Sequence, residues 1–281
     1  SIDKVNFLKI AEKYGKLPKI VIPVHLGGSS CDMHSIKRLS DKYGFLVIED
    51  ASHALGGKYL NAPVGNCKFS DITIFSFHPV KIITCGEGGM ACTNDLVLAE
   101  KLRYYSSHGI IKDKNKFLLD TTKDWGYEQQ ALGFNYRLSD IHAALGISQL
   151  KRLNKIVMER NRLIDVYKRL FYHSTIKLIS TPDNVYSSYH LGIVKICDND
   201  NLFHHMVFKY MRENNIGVQL HYSPVHLQPF YLKKGFKKGD FPHSEYYSNS
   251  FISIPLFVGL KEKDQIRVVN TLEMVIKSNS N

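Results

Sequence analysis

Short apolar runs alternate with amphipathic stretches over the first half of the chain. Lys19-Ile20-Val21-Ile22-Pro23-Val24 predicts a short buried strand, and Phe45-Leu46-Val47-Ile48 predicts the next. Between them residues 32–43 predict a helix, with Asp32 as N-cap and Met33, Ile36 and Leu39 on one face. Strand, helix, strand at this spacing is a right-handed βαβ unit of a mainly parallel sheet. Ahead of it residues 5–14 read as a helix closed by the turn Gly15-Lys16-Leu17-Pro18. After it come a hairpin or loop over residues 59–65, strands over 71–77 and 89–93, and a helix over 96–105 capped by Asn94 or Asp95. Periodicity fails over residues 108–130, a length that marks a functional or mobile connection.

Helical spacing returns at Ser139-Asp140, with Ile141, Ala144, Leu145 and Ile147 apolar. One long amphipathic helix then covers residues 148–171, placing Leu150, Leu153, Val157, Leu163, Val166 and Leu170 on its inner side. A helix of that length bridges two lobes, so a boundary near Ile156 divides the chain into residues 1–155 and 156–281. The second part predicts strands at 176–180, 189–196 and 216–221, a helix at 201–214 and a final helix at 261–278 packing back on them, a small α+β lobe.

Composition narrows this little. The 281 residues are 44% apolar and 11% aromatic, as in an ordinary globular protein. No apolar run reaches membrane-spanning length and no signal peptide leads the body, which points to the cytoplasm. The five cysteines form no CxxC pair and no histidine stands at zinc-finger spacing, so reduced thiols are expected and no metal site. A net charge of +11 suits an anionic partner, but the lysines are dispersed, without interleaved aromatics or a helix-turn-helix. That pattern argues against nucleic acid and leaves a phosphorylated small molecule.

Candidate chemistry lies at the carboxyl ends of two apolar runs, where ligands sit in open α/β sheets. One run delivers Asp50, and Ile72-Thr73-Ile74-Phe75-Ser76-Phe77 leads to Lys81. A lysine with a lowered pKa condenses with an aldehyde to a Schiff base. Pyridoxal 5'-phosphate uses that chemistry and needs a carboxylate at its pyridinium nitrogen, which Asp50 would supply, while the Ser76 hydroxyl would bind its phosphate. Taken singly, Asp50 is an ordinary turn residue and Lys81 a solvated loop charge; their conjunction carries the reading.

Five segments resemble the DegT/DnrJ/StrS family of sugar-nucleotide aminotransferases: Ile22-Pro23-Val24-His25-Leu26-Gly27-Gly28, Glu49-Asp50-Ala51-Ser52-His53-Ala54-Leu55-Gly56, Phe75-Ser76-Phe77-His78-Pro79-Val80-Lys81, Gly86-Glu87-Gly88-Gly89 and Gly133-Phe134-Asn135-Tyr136-Arg137-Leu138-Ser139-Asp140. The resemblance implies an α/β protein of PLP-dependent transferase fold type I: a large domain on a seven-stranded, mainly parallel mixed sheet, then a small α+β domain. It also implies that the front of the large domain, with its Gly-Thr or Gly-Ser phosphate turn, is missing here. By the same resemblance Lys81 holds the cofactor and shuttles the proton, Asp50 pairs with the pyridine nitrogen, His53 lies near the ring hydroxyl and Ser76 binds phosphate. Asn135 would reach the phosphate of a neighbouring subunit, making a homodimer with shared sites. Leu220, His221, Tyr222 and Ser223 would contact the nucleotide sugar, and glutamate would donate the amine.

His25 and His226 invite a substrate role, but a histidine on or beside a strand is more readily a hydrogen-bonded structural residue. Glu87 suits a turn ion pair, and Tyr136 and Arg137 a fixed loop. A dehydratase of the same scaffold carries histidine in place of the Schiff-base lysine, so Lys81 speaks against it. A non-catalytic remnant or interaction module is the rival from another class.

Overall fold

The computed structural model describes Glu12, residues 15–119 and residues 124–278. Apart from Glu12, the helix expected over residues 5–14 lies outside them. The chain divides into two compact units, one running up to Leu153 and taking in Asn184–Tyr186, the other holding Asn154–Asp183 and the chain from Ser187.

In the first unit β1 (Ile20–Val21), α1 (Met33–Tyr43) and β2 (Leu46–Asp50) form the expected unit, β1 pairing parallel with β2. Asp32 caps α1 by accepting the Ser35 N–H, and Gly44 closes it in the left-handed conformation. Met33 and Ile36 pack with Phe45, Val47 and Tyr59 as a core. The strand expected over residues 19–24 is shorter and not buried. Pro23 has no N–H for the ladder, pairing resumes only as a single bridge from Val24 to Asp50, and Ile20, Ile22 and Val24 are 45–56% exposed.

Next come β3 (Lys58–Tyr59) and β4 (Ala62–Pro63), a tight hairpin turning through Leu60 and Asn61, both at positive φ. The strands β5 (Ile72–Ser76) and β6 (Gly89–Cys92) complete a sheet of order β1-β2-β5-β6, parallel except for its last pair. Four strands stand in it among the described residues, against the seven implied by resemblance. A Cβ on Gly89 would lie 2.8 Å from the Phe75 carbonyl, so this close strand approach needs glycine. Asp95, accepting the Val97 and Leu98 N–H groups, caps α2 (Leu96–Ser106).

The stretch over residues 108–130 is less bare than its sequence suggests. It holds β7 (Ile110–Ile111) and β8 (Glu128–Gln129), paired antiparallel, and the Glu128 carboxylate takes the Leu118 and Leu119 N–H groups at 2.7 Å each. Ser139 then caps α3 (Asp140–Leu150). The helix expected over residues 148–171 starts later: residues 148–150 belong to α3, and α4 (Leu153–Leu170) follows a break at Lys151-Arg152. Leu150, expected inside, is 53% exposed, and no residue of α3 is buried.

In the second unit α4 buries Val157, Leu163 and Val166 as its periodicity requires. Its companions are β9 (Lys177–Leu178), β11 (Gly192–Lys195), α5 (Asn201–Glu213), α6 (Pro229–Leu232), α7 (Pro242–Ser248), β12 (Phe251–Ile254) and α8 (Glu262–Lys277), while β10 (Val185–Tyr186) pairs with β3 in the first unit. The sheet order is β12-β11-β9, and Leu163, Tyr167, Val207, Met211, Leu272 and their neighbours form the core beneath it. No strand forms over residues 216–221: only Gln219 pairs, as a bridge to Ser253, although Ile216 and Val218 are buried. The strand β12, which no periodicity announced, pairs with β11.

Candidate active site

The first unit carries Asp50, His53, Ser76, Lys81 and Asn135; the second carries Leu220, His221, Tyr222 and Ser223. Asp50 ends β2 and is fixed from both sides of its backbone. Its N–H donates to the Pro23 carbonyl at 2.9 Å and its carbonyl accepts the His25 N–H at 3.0 Å. The Asp50 carboxylate accepts the Ser52 N–H at 3.0 Å. Beside it in the sheet, β5 ends at Ser76, whose hydroxyl accepts the His78 N–H at 3.4 Å. The chain then turns at Pro79-Val80, Lys81 donating its N–H to the His78 carbonyl at 3.0 Å, and buries Ile82, Ile83 and Cys85 behind it. Buried neighbours on its carboxyl side and a strand on its amino side position Lys81.

Burial lowers the Lys81 pKa below the usual lysine value, and the Asp50 carboxylate, close enough to act on the ammonium, opposes that shift. Burial therefore favours the neutral amine. His53 is 5% exposed, and its Nδ1 accepts the Gly27 N–H at 3.3 Å. Asn135 is exposed, in a single-bridge pairing with Ser107 beside the stacked rings of Phe134 and Tyr136. Arg137 reaches the Ser107 hydroxyl at 3.5 Å, the loop-fixing role expected of it. Glu87 and His78 approach to 3.9 Å, both exposed.

A buried polar cluster that sequence reasoning missed lies next to Asp50. Glu49, 5% exposed, accepts the His25 Nε2–H at 2.7 Å on one carboxylate oxygen and hydroxyl protons of Ser70 and Thr73 on the other. Burial would raise the Glu49 pKa, and these bonds, His25 first, more than reverse that and hold it below the ordinary carboxylate range. Burial likewise opposes charge on His25, yet its Cys31 and Glu49 contacts lift its pKa to about 9. Against a second ring proton stands the Cys31 N–H, which donates to Nδ1 at 3.2 Å and needs a lone pair there. We assign the neutral Nε2–H tautomer on that bond. The Glu-Asp order at a strand end was the available signal, since neighbours on a strand face opposite ways.

In the second unit the expected substrate segment separates two cavities. His221 lines one of about 280 Å3 with His190, Arg212 and Ser253, and its Nδ1 lies 2.8 Å from the Ser253 hydroxyl. Leu220 and Ser223 line the other, about 490 Å3, with Asn201, His205, Phe208 and Gln228. Tyr222 lines neither, is 53% exposed and packs edge-on against His221. His226, held by Glu245 at 2.9 Å, has the structural partner its position suggested.

A half-buried lysine of lowered pKa, a carboxylate within its field and a hydroxyl at the end of the intervening strand form a donor set that fits pyridoxal 5'-phosphate. With the mixed, mainly parallel sheet, they define a pyridoxal-phosphate enzyme of fold type I. The chain belongs to the DegT/DnrJ/EryC1/StrS aminotransferase family, whose model matches residues 4–273. It is 34% identical over 266 residues to the spore coat polysaccharide biosynthesis protein SpsC of Bacillus subtilis, a match covering 92% of this chain and 67% of SpsC. Among solved structures it is similar to Helicobacter pylori PseC, an aminotransferase involved in pseudaminic acid biosynthesis, at a TM-score of 0.87 and 27% identity over 99% of this chain and 71% of PseC. It is also similar to Spr1654 of Streptococcus pneumoniae, described as a sugar aminotransferase, whose PLP form matches at a TM-score of 0.81 and 25% identity over 92% of this chain and 69% of that one. The chain is thus a sugar aminotransferase by family, and its cofactor is pyridoxal 5'-phosphate. Among the described residues no helix is long and apolar enough to cross a membrane.

Proposed function

We propose that the protein transfers an amino group from glutamate to a nucleotide-linked 4-keto-6-deoxy sugar, UDP-linked, in the manner of the UDP-4-amino-4,6-dideoxy-N-acetylaltrosamine transaminase of pseudaminic acid biosynthesis. The observation that carries this reading is the Lys81 amine, lowered in pKa by burial with the Asp50 carboxylate in its field. The likeness to PseC supports the choice of sugar.

When bound, pyridoxal 5'-phosphate supplies an aldehyde for an amine and a ring that draws electrons from the reacting carbon. Lys81 would hold the aldehyde through Nζ and, once an incoming amine has freed it, would take the α-proton of the amino donor and later deliver a proton at the sugar carbon, as general base and then acid, burial favouring the amine form that this needs. Asp50 would accept the pyridinium N–H and so keep that nitrogen protonated. The Ser76 hydroxyl would donate to the phosphate, and His53, whose Nδ1 accepts the Gly27 N–H, would lie near the ring hydroxyl. In the second unit Leu220, His221, Tyr222 and Ser223 would hold the nucleotide sugar, the larger cavity being lined by hydroxyl and amide side chains such as Ser223, Asn201 and Gln228 that suit a sugar ring. Asn135 completes the phosphate site of a second subunit, and the working form is a cytoplasmic homodimer. The positive net charge of +11 draws the diphosphate in.

The test is a paired incubation with pyridoxal 5'-phosphate, glutamate and either the UDP-linked or the dTDP-linked 4-keto-6-deoxy sugar. Mass spectrometry of the sugar is expected to show oxygen replaced by an amine on the UDP compound. Amination of only the dTDP compound overturns the nucleotide assignment, and amination of neither overturns the reading.

A further inference from the structure

We infer that the buried His25–Glu49 pair is a positioning device for the cofactor's carboxylate partner: it fastens the turn at residues 23–28 to the end of β2 and so fixes Asp50 and His53 together. The inference rests on the reading of Asp50 as the partner of the pyridine nitrogen. Glu49 and Asp50 are neighbours on one strand and project to opposite sides of the sheet. The Glu49 side is closed. One carboxylate oxygen takes His25 Nε2–H at 2.7 Å, the other is shared by Ser70 and Thr73, and the imidazole is fully buried. His25 is held at its other ring nitrogen by the Cys31 N–H at 3.2 Å, so the ring has one orientation.

What that orientation fixes is the backbone around it. From the same residue the His25 N–H donates to the Asp50 carbonyl at 3.0 Å, and Pro23 accepts the Asp50 N–H at 2.9 Å. Two residues on, the Gly27 N–H donates to His53 Nδ1 at 3.3 Å, and the Gly28 N–H returns to the His25 carbonyl at 3.1 Å. A single short turn thus holds Asp50 by its backbone and His53 by its ring, and the His25 imidazole anchors that turn to Glu49. In this short edge only Ile20 and Val21 pair as a regular strand before Pro23 interrupts, so the ladder alone leaves the turn weakly held. A buried hydrogen-bonded polar pair contributes little net stability over apolar packing, while its bonds set register, and register is what a ring-nitrogen partner needs.

A double-mutant cycle on the purified chain, read as the dissociation constant of pyridoxal 5'-phosphate from its absorbance titration, tests this. His25→Gln reaches Glu49 with an N–H; His25→Asn, one methylene shorter, does not. Circular dichroism confirms the fold of each variant, and Glu49→Gln in the same cycle serves as a second route if His25→Asn melts. We expect His25→Asn to weaken capture about tenfold and His25→Gln less than about threefold, with His25→Asn adding less than about twofold on top of Asp50→Asn, the non-additivity of residues acting through one another. Losses that multiply in the double variant, or equal losses for Gln and Asn, overturn the positioning role alone. A parent chain that captures no cofactor, or an Asp50→Asn variant that captures it as tightly as the parent, overturns the reading of the site and the inference with it.

Discussion

Lys81 owes its chemistry to what surrounds it. Buried Ile82 and Ile83 follow it, burial favours its neutral form, and the Asp50 carboxylate limits how far that goes. Because only the neutral amine attacks the aldehyde, the rate of cofactor capture should rise with pH and level off below the unperturbed lysine value of 10.5. A rate still climbing beyond that pH would mean the amine is solvated. Replacing Asp50 by Asn should leave capture measurable but slow amino transfer by about 10²–10³-fold, the scale of removing one electrostatic stabiliser. Stopped-flow measurement of the half-reaction with glutamate checks it, and an unaltered rate would remove Asp50 from the mechanism. Both residues were legible in the sequence because an apolar strand announces its own end and the sheet places ligands there. The Glu49–His25 contact was not, since residues 24 apart meet only once β1 and β2 pair.

At the scale of elements, capping residues foretold helix starts well: Asp32, Asp95 and Ser139 each accept the N–H groups that a helix leaves unpaired. Side-chain periodicity was less informative where apolar residues stay on the surface. Helix α3 has a regular apolar pattern and buries none of it, and the break at Lys151-Arg152 has no glycine or proline to mark it. The segment over residues 216–221 has alternating buried positions yet pairs through Gln219 alone, as a single bridge to Ser253 of β12, which itself pairs with β11. The loop bearing Asn135 depends on a close backbone approach. A Cβ at Gly133 would stand 2.3 Å from the Gly109 nitrogen, and one at Gly109 2.2 Å from the Ala131 carbonyl oxygen. Gly133→Ala should therefore destabilise the first unit by about 1–3 kcal/mol, as local strain does, and a melting curve overlapping the parent's would contradict that approach. In the second unit Leu272, fully buried among Val268, Val269 and Met211, should cost about 2–5 kcal/mol on truncation to Ala, measured by urea denaturation.

For the whole molecule, the lysine lies in one unit and the proposed sugar contacts in the other, so on the proposed reading cofactor capture and substrate binding should be separable by mutation. Composition gave only the outline, a basic globular protein with reduced cysteines, while five motifs in order gave the family that residues 4–273 match. If Asn135 serves a partner's phosphate, mixing inactive Lys81→Ala subunits with inactive Asn135→Ala subunits should restore about a quarter of parental activity, since half of randomly paired dimers then hold one intact site of two. No recovery after verified subunit exchange would place Asn135 in its own chain's site. The central claim is that one lysine captures the cofactor, and it is tested most directly by incubating the chain with pyridoxal 5'-phosphate, reducing with borohydride and sequencing the modified peptide by mass spectrometry. The account predicts a single phosphopyridoxyl group on Lys81, absent from Lys81→Ala; a label on another lysine, or none, would contradict it.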